Sequence, residues 1–183
     1  GHRKDFELMI EEIDRANSII TEFLSLAKNR AMEFSEHNLN DIIRDIFPLL
    51  RADALRNDCK IEVKLTDIPG VSVDPGSIRQ LILNMVRNGL DAMPGGGTIT
   101  VGTAAAGDKV RLSIKDCGSG ISPAIRDKLG TPFFTTKEKG TGLGLAICYR
   151  IIQRHGATVT VDSEPGMGTE FTITFPPLPT EAN

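Results

Sequence analysis

The stretch 132-PFFTTKEKGTGLGLA-146 decides how this chain is read. A basic, threonine-rich turn runs into alternating glycines, and the glycines run into an apolar helix. Glycines ahead of a helix let backbone approach a ligand closely, and a helix N-terminus favours an anion. The stretch therefore points toward phosphate. Three familiar phosphate motifs do not fit it. A Walker loop needs a second glycine before its lysine, which 130-GTPFFTTK-137 lacks. A dinucleotide fingerprint needs G-x-G-x-x-G inside a parallel β-α-β unit, whereas 140-GTGLGL-145 is G-x-G-x-G with no such unit around it. The H-R-D, D-F-G and A-P-E signatures of protein kinases are absent. Taken singly, the run fits a plain helix-start turn as well as it fits a ligand loop.

Working outward, the helix is predicted over 142–155. It is followed by two alternating strands, 157-ATVTVDS-163 and 169-TEFTITFP-176, joined by 164-EPGMG-168. Upstream, 117–141 has no periodicity and is rich in Gly, Ser, Thr and Pro. It reads as one long loop with a turn of helix at 123–129, and loops of that length inside a compact domain tend to be functional lids. Strands at 98–103 and 109–116 precede it, and before them a helix over 76–93 closed by 94-PGGG-97. Short strands at 71–74 and 60–65 follow a helix that starts at Asn38-Leu39, with a kink or break expected at Pro48. The order from residue 39 is thus α-β-β-α-β-β-loop-α-β-β. It predicts an α+β fold, a two-layer α/β sandwich. One mixed, mostly antiparallel sheet carries three helices on one face, preceded by one long amphipathic helix.

That first helix spans 4–29. Phe6, Met9, Ile13, Ala16, Ile20, Phe23 and Ala27 recur at spacings of 3, 4, 3, 4, 3 and 4, an a/d seam of the bundle or coiled-coil kind. It packs either on its own domain or against a partner helix, and the strict spacing favours the partner. Gly1 and His2 look like the remnant of a cleaved tag, and 31–38 reads as a linker. The proline-rich tail 177–183 reads as disordered.

Composition narrows the function. The chain has 183 residues, 40% hydrophobic and 25% charged, with a net charge of -3, which gives no electrostatic reason to expect nucleic acid or an anionic membrane. Cys59, Cys117 and Cys148 show no C-x-x-C spacing, which argues against a disulfide framework or zinc and for a reducing compartment. No apolar run approaches the roughly 18 residues of a membrane helix.

Asn84 and Asn88 share one face of the 76–93 helix. Two carboxamides there can ligate a hard cation or its waters, or simply be solvated. Asp116 leaves a strand into 116-DCGSG-120 and can accept from a base's amino group, or form an Asx turn.

Together these pieces carry a resemblance. The segments 84-NMVRNGLDAM-93, 116-DCGSG-120, 132-PFFTTK-137 and 140-GTGLGLA-146 resemble, in order, the N, G1, F and G2 boxes of bacterial sensor histidine kinases. The segment 164-EPGMGTEFTITFP-176 is similar to that family's closing G-x-G-T strand. The match covers roughly 39–176, an ATP-binding catalytic domain of the Bergerat superfamily (gyrase, Hsp90, histidine kinase, MutL) with its lid at 117–141. Residues 3–30 resemble the second helix of the dimerisation bundle, notably of sporulation-type and nitrogen-regulation-type kinases.

The resemblance implies roles residue by residue. Asn88 would ligate Mg²⁺ bridging the phosphates of ATP, with Asn84 one turn earlier. Asp116 would bond the adenine amino group, with Gly118 and Gly120 shaping the pocket floor. Gly140, Thr141, Gly142, Leu143 and Gly144 would hold the phosphates, joined by Lys137, and Thr169 would line the adenine end. Phe133 and Phe134 would anchor the lid. Relatives that hydrolyse ATP carry a glutamate where Asn84 stands, so transfer rather than hydrolysis is implied. The family often has alanine at Gly89, where glycine costs about 0.5–1 kcal/mol of helix propensity. None of His2, His37 and His155 is followed by the acidic residue of the family's H box. The expectation is therefore a kinase core whose phosphoacceptor histidine is absent from this chain. Implied partners are a response regulator receiver domain and a second copy in the full-length protein, with no nucleic acid and no direct membrane contact by this segment. The implied location is cytoplasmic, with a membrane anchor possible in the full-length protein. Two rivals are a serine-directed kinase of the anti-sigma type on the same fold, and a non-enzymatic nucleotide-gated module.

Overall fold

The computed structural model describes residues 2–27, 31–137 and 140–178. A helix α1 (His2–Ala27) leads. The body follows as β1 (Ser35–His37), α2 (Leu39–Arg56), β2 (Cys59–Leu65), β3 (Val71–Val73), α3 (Pro75–Asp91), β4 (Gly97–Ala106) and β5 (Lys109–Asp116). After it come α4 (Pro123–Arg126), α5 (Gly144–Arg154), β6 (Thr158–Glu164) and β7 (Gly168–Phe175). Five strands form one sheet in the order β2-β4-β5-β7-β6, parallel between β2 and β4 and antiparallel elsewhere.

Strand alternation fixes which face is covered. Val110, Leu112 and Ile114 of β5 are buried opposite Phe175, Ile173 and Phe171 of β7, while Lys109, Arg111 and Lys115 between them are exposed. α2, α3 and α5 cover that apolar face with Ile43, Leu50, Ile78, Leu81, Ile82 and Ile147. Asp74 caps α3 by accepting the Ser77 N–H at 2.7 Å, with Pro75 at the first helical position.

Two expectations need correction. The strand at 71–74 does not join the main sheet. β3 pairs antiparallel with β1 in a separate two-stranded ribbon, so the supposed linker 31–38 contains a strand. β3 buries Val71 and Val73, but β1 buries no side chain fully, so nothing in its own residues marks it as a strand. The ribbon is held from outside, by Asp74 accepting the Glu33 N–H at 3.0 Å and by His155. Pro48 does not break its helix, because α2 runs through it. Pro48 and Arg44 both lie on the exposed side, where the carbonyl robbed of its donor can face solvent, while Ile42, Ile43, Ile46 and Leu50 keep the buried side packed. The expected tail lies largely outside the described residues, as do Gly1 and residues 28–30 of the first helix and its linker.

His155 closes α5 and is 5% exposed. Its Nε2 accepts the Asp74 N–H at 3.1 Å and its Nδ1 donates to the Ile151 carbonyl at 2.8 Å, partners that assign the Nδ1–H tautomer. Burial pushes its pKa below the ordinary 6.5. The unfolded chain then takes up this proton at a higher pH than the fold does. The corresponding stability is complete above pH 6.5 or so and is lost as pH falls through the folded value. We expect the urea midpoint to drop between pH 7.5 and pH 5, and His155→Gln to flatten that drop. An unchanged pH profile in the variant would show that His155 is not its source.

Candidate functional site

The site is built around Asp116. Continuing the β5 alternation places its side chain on the helix-covered face, 7% exposed. Its Oδ1 accepts the Gly118 N–H at 2.8 Å, and the Thr169 N–H also bonds its carboxyl. Burial pushes its pKa up, while the two N–H groups and the Lys137 charge pull it down. A buried acceptor with spare lone pairs at the mouth of a sheet is what a purine amino group requires.

Glycines close around it. A methyl on Gly89 would stand 3.2 Å from Asp116 Cβ and 3.1 Å from Ile99 Cδ1, so α3 approaches β5 closely only without one. A methyl on Gly118 would stand 2.6 Å from the Ala92 carbonyl oxygen. Gly120 (φ +69) and Gly168 (φ +88) have left-handed backbone, and methyls on them would run into the Glu164 and Asp116 carbonyls. The Ser163 hydroxyl donates to the Gly168 carbonyl at 2.9 Å and accepts the Ile121 N–H at 2.8 Å. Its one proton thus used, it takes the Thr169 hydroxyl as donor at 2.9 Å. Thr169 therefore acts on the site through its backbone.

Asn84 and Asn88 lie half-buried on α3. Asn84 Nδ2 donates to the Gly144 carbonyl at a long 3.4 Å, and its side chain also bonds the Cys148 thiol, which burial pushes up to about 12. Asn84 thus ties α3 to the first turn of α5. The Asn88 carboxamide makes no hydrogen bond to another described residue.

The loop ahead of α5 is pinned at Leu143, which is fully buried. Gly142 (φ +69) lies against Phe133, whose N–H donates to the Gly142 carbonyl at 3.0 Å and whose own φ is 65. Gly140 abuts the Thr135 hydroxyl, while a methyl on Gly144 would meet open space. Lys137 Nζ lies 2.8 Å from Asp91 Oδ2, at the end of α3. Thr141 accepts the Leu143 N–H at 3.2 Å and donates to Glu22 of α1 at 2.7 Å. Phe23 of α1 packs on Phe133 with ring centroids 6.3 Å apart, and Lys128 stands over the Phe134 ring at 5.7 Å. Both phenylalanines are thus placed on the lid's own supports.

The structure gathers Asp116, Gly118, Gly120 and Thr169 at one end of the site. It joins Asn84 to Gly144, and turns Lys137 and Thr141 toward acidic partners. Gly89, Ser163, Gly168 and Glu22 were not singled out as site residues from the sequence. Gly168 had a signal in 166-GMG-168, and Gly89 stood out as a glycine in mid-helix. Two clefts lie beside α1. One of about 810 Å³ is lined by Phe23, Pro132, Phe133 and Tyr149, and one of about 660 Å³ by Leu24, Asp74, Gln80 and Ile147. Both flank α1 and α5, and neither is lined by Asp116 or Asn88.

Residues 73–179 match the family profile described as histidine kinase-, DNA gyrase B-, and HSP90-like ATPase. The chain is 37% identical over 177 residues to sporulation kinase C of Bacillus subtilis, covering 95% of this chain and 41% of that protein. The chain therefore spans less than half the length of that curated relative. The catalytic domain of histidine kinase ThkA is similar in structure with a TM-score of 0.72 and 32% identity, over 80% of this chain and 97% of that one. ThkA solved in complex with the response regulator protein TrrA is similar with a TM-score of 0.77 and 30% identity, over 94% of this chain and 50% of that one.

Two glycine substitutions separate shape from chemistry. Gly168→Ala forces a left-handed alanine into the Asp116 carbonyl, and should cost at least about 1–3 kcal/mol in urea unfolding. Gly144→Ala meets nothing within 4 Å and lies in a helix, so it should leave stability unchanged or raised. Equal effects from the two would contradict this account of the pocket floor.

Proposed function

The chain belongs to the histidine kinase-, DNA gyrase B- and HSP90-like ATPase family. From that membership we propose that it binds Mg-ATP and transfers the γ-phosphoryl group to a histidine on a helical bundle, for relay to a response regulator. The observation that carries the nucleotide reading is Asp116, a buried carboxylate walled by glycines on three sides.

Each residue's part follows from its place. Asp116 accepts from the adenine amino group while the Gly118 and Thr169 N–H groups fix its orientation. The N–H groups at the start of α5, on the Gly142-Leu143-Gly144 backbone, present the positive end of that helix to the phosphates. Asn88, half-buried one residue from the pocket floor, is the side chain that would hold Mg²⁺, together with the phosphates. The metal, when bound, neutralises charge on the transferring group. Among the described residues no group of three or more His, Cys, Asp or Glu is placed to hold a metal ion, so an amide-and-phosphate set fits this chain. Asn84 has no basic lone pair to take a proton from water, which favours transfer to a protein nucleophile over hydrolysis.

Neither described imidazole is placed as that nucleophile. His155 uses both ring nitrogens internally, and His37 shares Nε2 with the Ser35 hydroxyl at 2.9 Å within β1. We assign the acceptor role to a bundle histidine. α1 supports a bundle, because Phe6, Met9, Ile13 and Ile20 are each more than half exposed. An apolar seam of this kind fits the same helix of a second copy. The complex of ThkA with TrrA supports a receiver domain as the downstream partner. Among the described residues no helix is long and apolar enough to cross a membrane.

Three measurements test the reading. Asp116→Asn should weaken ADP binding by roughly tenfold or more in calorimetry, since a hydrogen bond to a charged group contributes about 1.5–3 kcal/mol. Affinity in the unsubstituted chain should fall as pH drops toward the raised Asp116 value, earlier than an ordinary carboxylate would allow. A separately supplied bundle domain with its histidine should gain acid-labile phosphate from ATP, and Asn88→Ala should abolish this. Intact nucleotide binding with no transfer would reject the kinase reading.

A further inference from the structure

Glu22 and Phe23 are consecutive on α1, and both touch the loop that precedes α5. Phe23 packs on Phe133, which is locked to Gly142 by the 3.0 Å backbone bond. The Glu22 carboxylate accepts the Thr141 hydroxyl at 2.7 Å, and that same oxygen accepts the Leu143 N–H at 3.2 Å. A negative charge is thus one hydroxyl away from the N–H groups that open α5. Glu22 and Thr141 are both half-buried, which weakens solvent screening. The contact joins residues 119 apart in sequence, and no local motif requires it.

We propose that Glu22 is a charge latch: it holds α1 against the glycine loop when the phosphate site is empty, and phosphate charge at that site expels it. Two anions on one helix N-terminus repel, so the carboxylate and the nucleotide's phosphates compete for the same positive end. The coupling is reciprocal. Whatever factor Glu22 takes from nucleotide affinity, nucleotide takes from α1 docking. Phe23 leaves with Glu22, because Phe133 and Thr141 sit on one bonded loop. Glu22 is a positioning residue: it acts through Thr141 and carries no chemistry. This inference rests on the nucleotide reading given above.

The charge argument predicts a graded signature that a merely structural contact does not give. Glu22→Gln keeps the shape and an acceptor for Thr141 but removes the charge. In calorimetry with Mg²⁺ present, it should tighten ATP by roughly three- to tenfold, ADP by less, and adenosine not at all. Raising salt should shrink the gain. Cysteines placed at Glu22 and Thr141 would be a poor reporter, since they remove the latch itself. A spin-label pair on exposed positions of α1 and β6, at Asp14 and Thr160, reads the docking distance instead. Saturating ATP should lengthen and broaden that distance in the unsubstituted chain, and adenosine should not. Equal gains for all three ligands, or none, overturn the latch while leaving nucleotide binding intact. Failure of the unsubstituted chain to bind any nucleotide overturns the underlying reading instead.

Discussion

Burying the Asp116 carboxylate is the constraint on which the rest of the site depends. A charge removed from water at the end of a central strand is unfavourable unless hydrogen bonds replace its hydration. Here the replacement comes from backbone, the N–H groups of Gly118 and Thr169, delivered by two different strand ends. That geometry requires β7 to begin hard against the end of β5, which Gly168 permits, and the chain after Asp116 to turn under α3, which Gly118 permits. The Ser163 hydroxyl then fixes the β6–β7 turn by bonding the Gly168 carbonyl and the Thr169 hydroxyl. The carboxylate is held with acceptor capacity left over, an arrangement with little value to folding and evident value to a ligand. Its raised pKa is the trace of that imbalance.

The other half of the site is set by a loop that relies on outside supports. Phe133 in left-handed backbone and Gly142 facing it close the segment on itself. Leu143 anchors one end in the core, and Lys137 is drawn to Asp91 at the end of α3. The remaining support is α1. Two clefts flank α1 and α5 beside this contact. A partly charged contact next to the proposed phosphate site is the kind of element whose equilibrium a ligand can shift. The same loop can therefore report nucleotide to the helix and helix position to the nucleotide.

Much of this was legible in the sequence, because its causes are local. The a/d spacing gave α1, the alternation gave β6 and β7, and the ordered boxes pointed to Asn88, Asp116 and the glycines as the residues to look at. What escaped is non-local. The β1–β3 ribbon has three residues per strand and is held by Asp74 and His155, 81 residues apart in sequence. Pro48 pointed to a kink or a break because the rule concerns a lost hydrogen bond, and sequence does not say whether the freed carbonyl faces solvent, where a helix can run on unbroken. Ser163 reads as an ordinary strand residue until its hydroxyl is seen joining Ile121, Gly168 and Thr169. Glu22 belongs by pattern to the solvated face of α1, and only the tertiary arrangement brings it to Thr141.

Gly89 shows how one helix sets two chemistries. In the sequence it is a glycine in mid-helix with no compensating reason. In the structure it is buried, and its missing side chain lets α3 lie within contact of Asp116 and Ile99. The neighbouring residue, Asn88, rotates by one helical step and emerges half-exposed. The distance between the amide that would hold the metal and the carboxylate that would hold the base is therefore fixed largely by how closely α3 approaches β5. A side chain at position 89 requires Asp116 or Ile99 to give by a few tenths of an ångström, or the helix to lift. Lifting the helix would move Asn88 and Asn84 together, and Asn84 is already bonded to the first turn of α5. The propensity lost at Gly89 thus keeps Asn88, Asp116 and the first turn of α5 in register, the three places where the proposed function puts metal, base and phosphate.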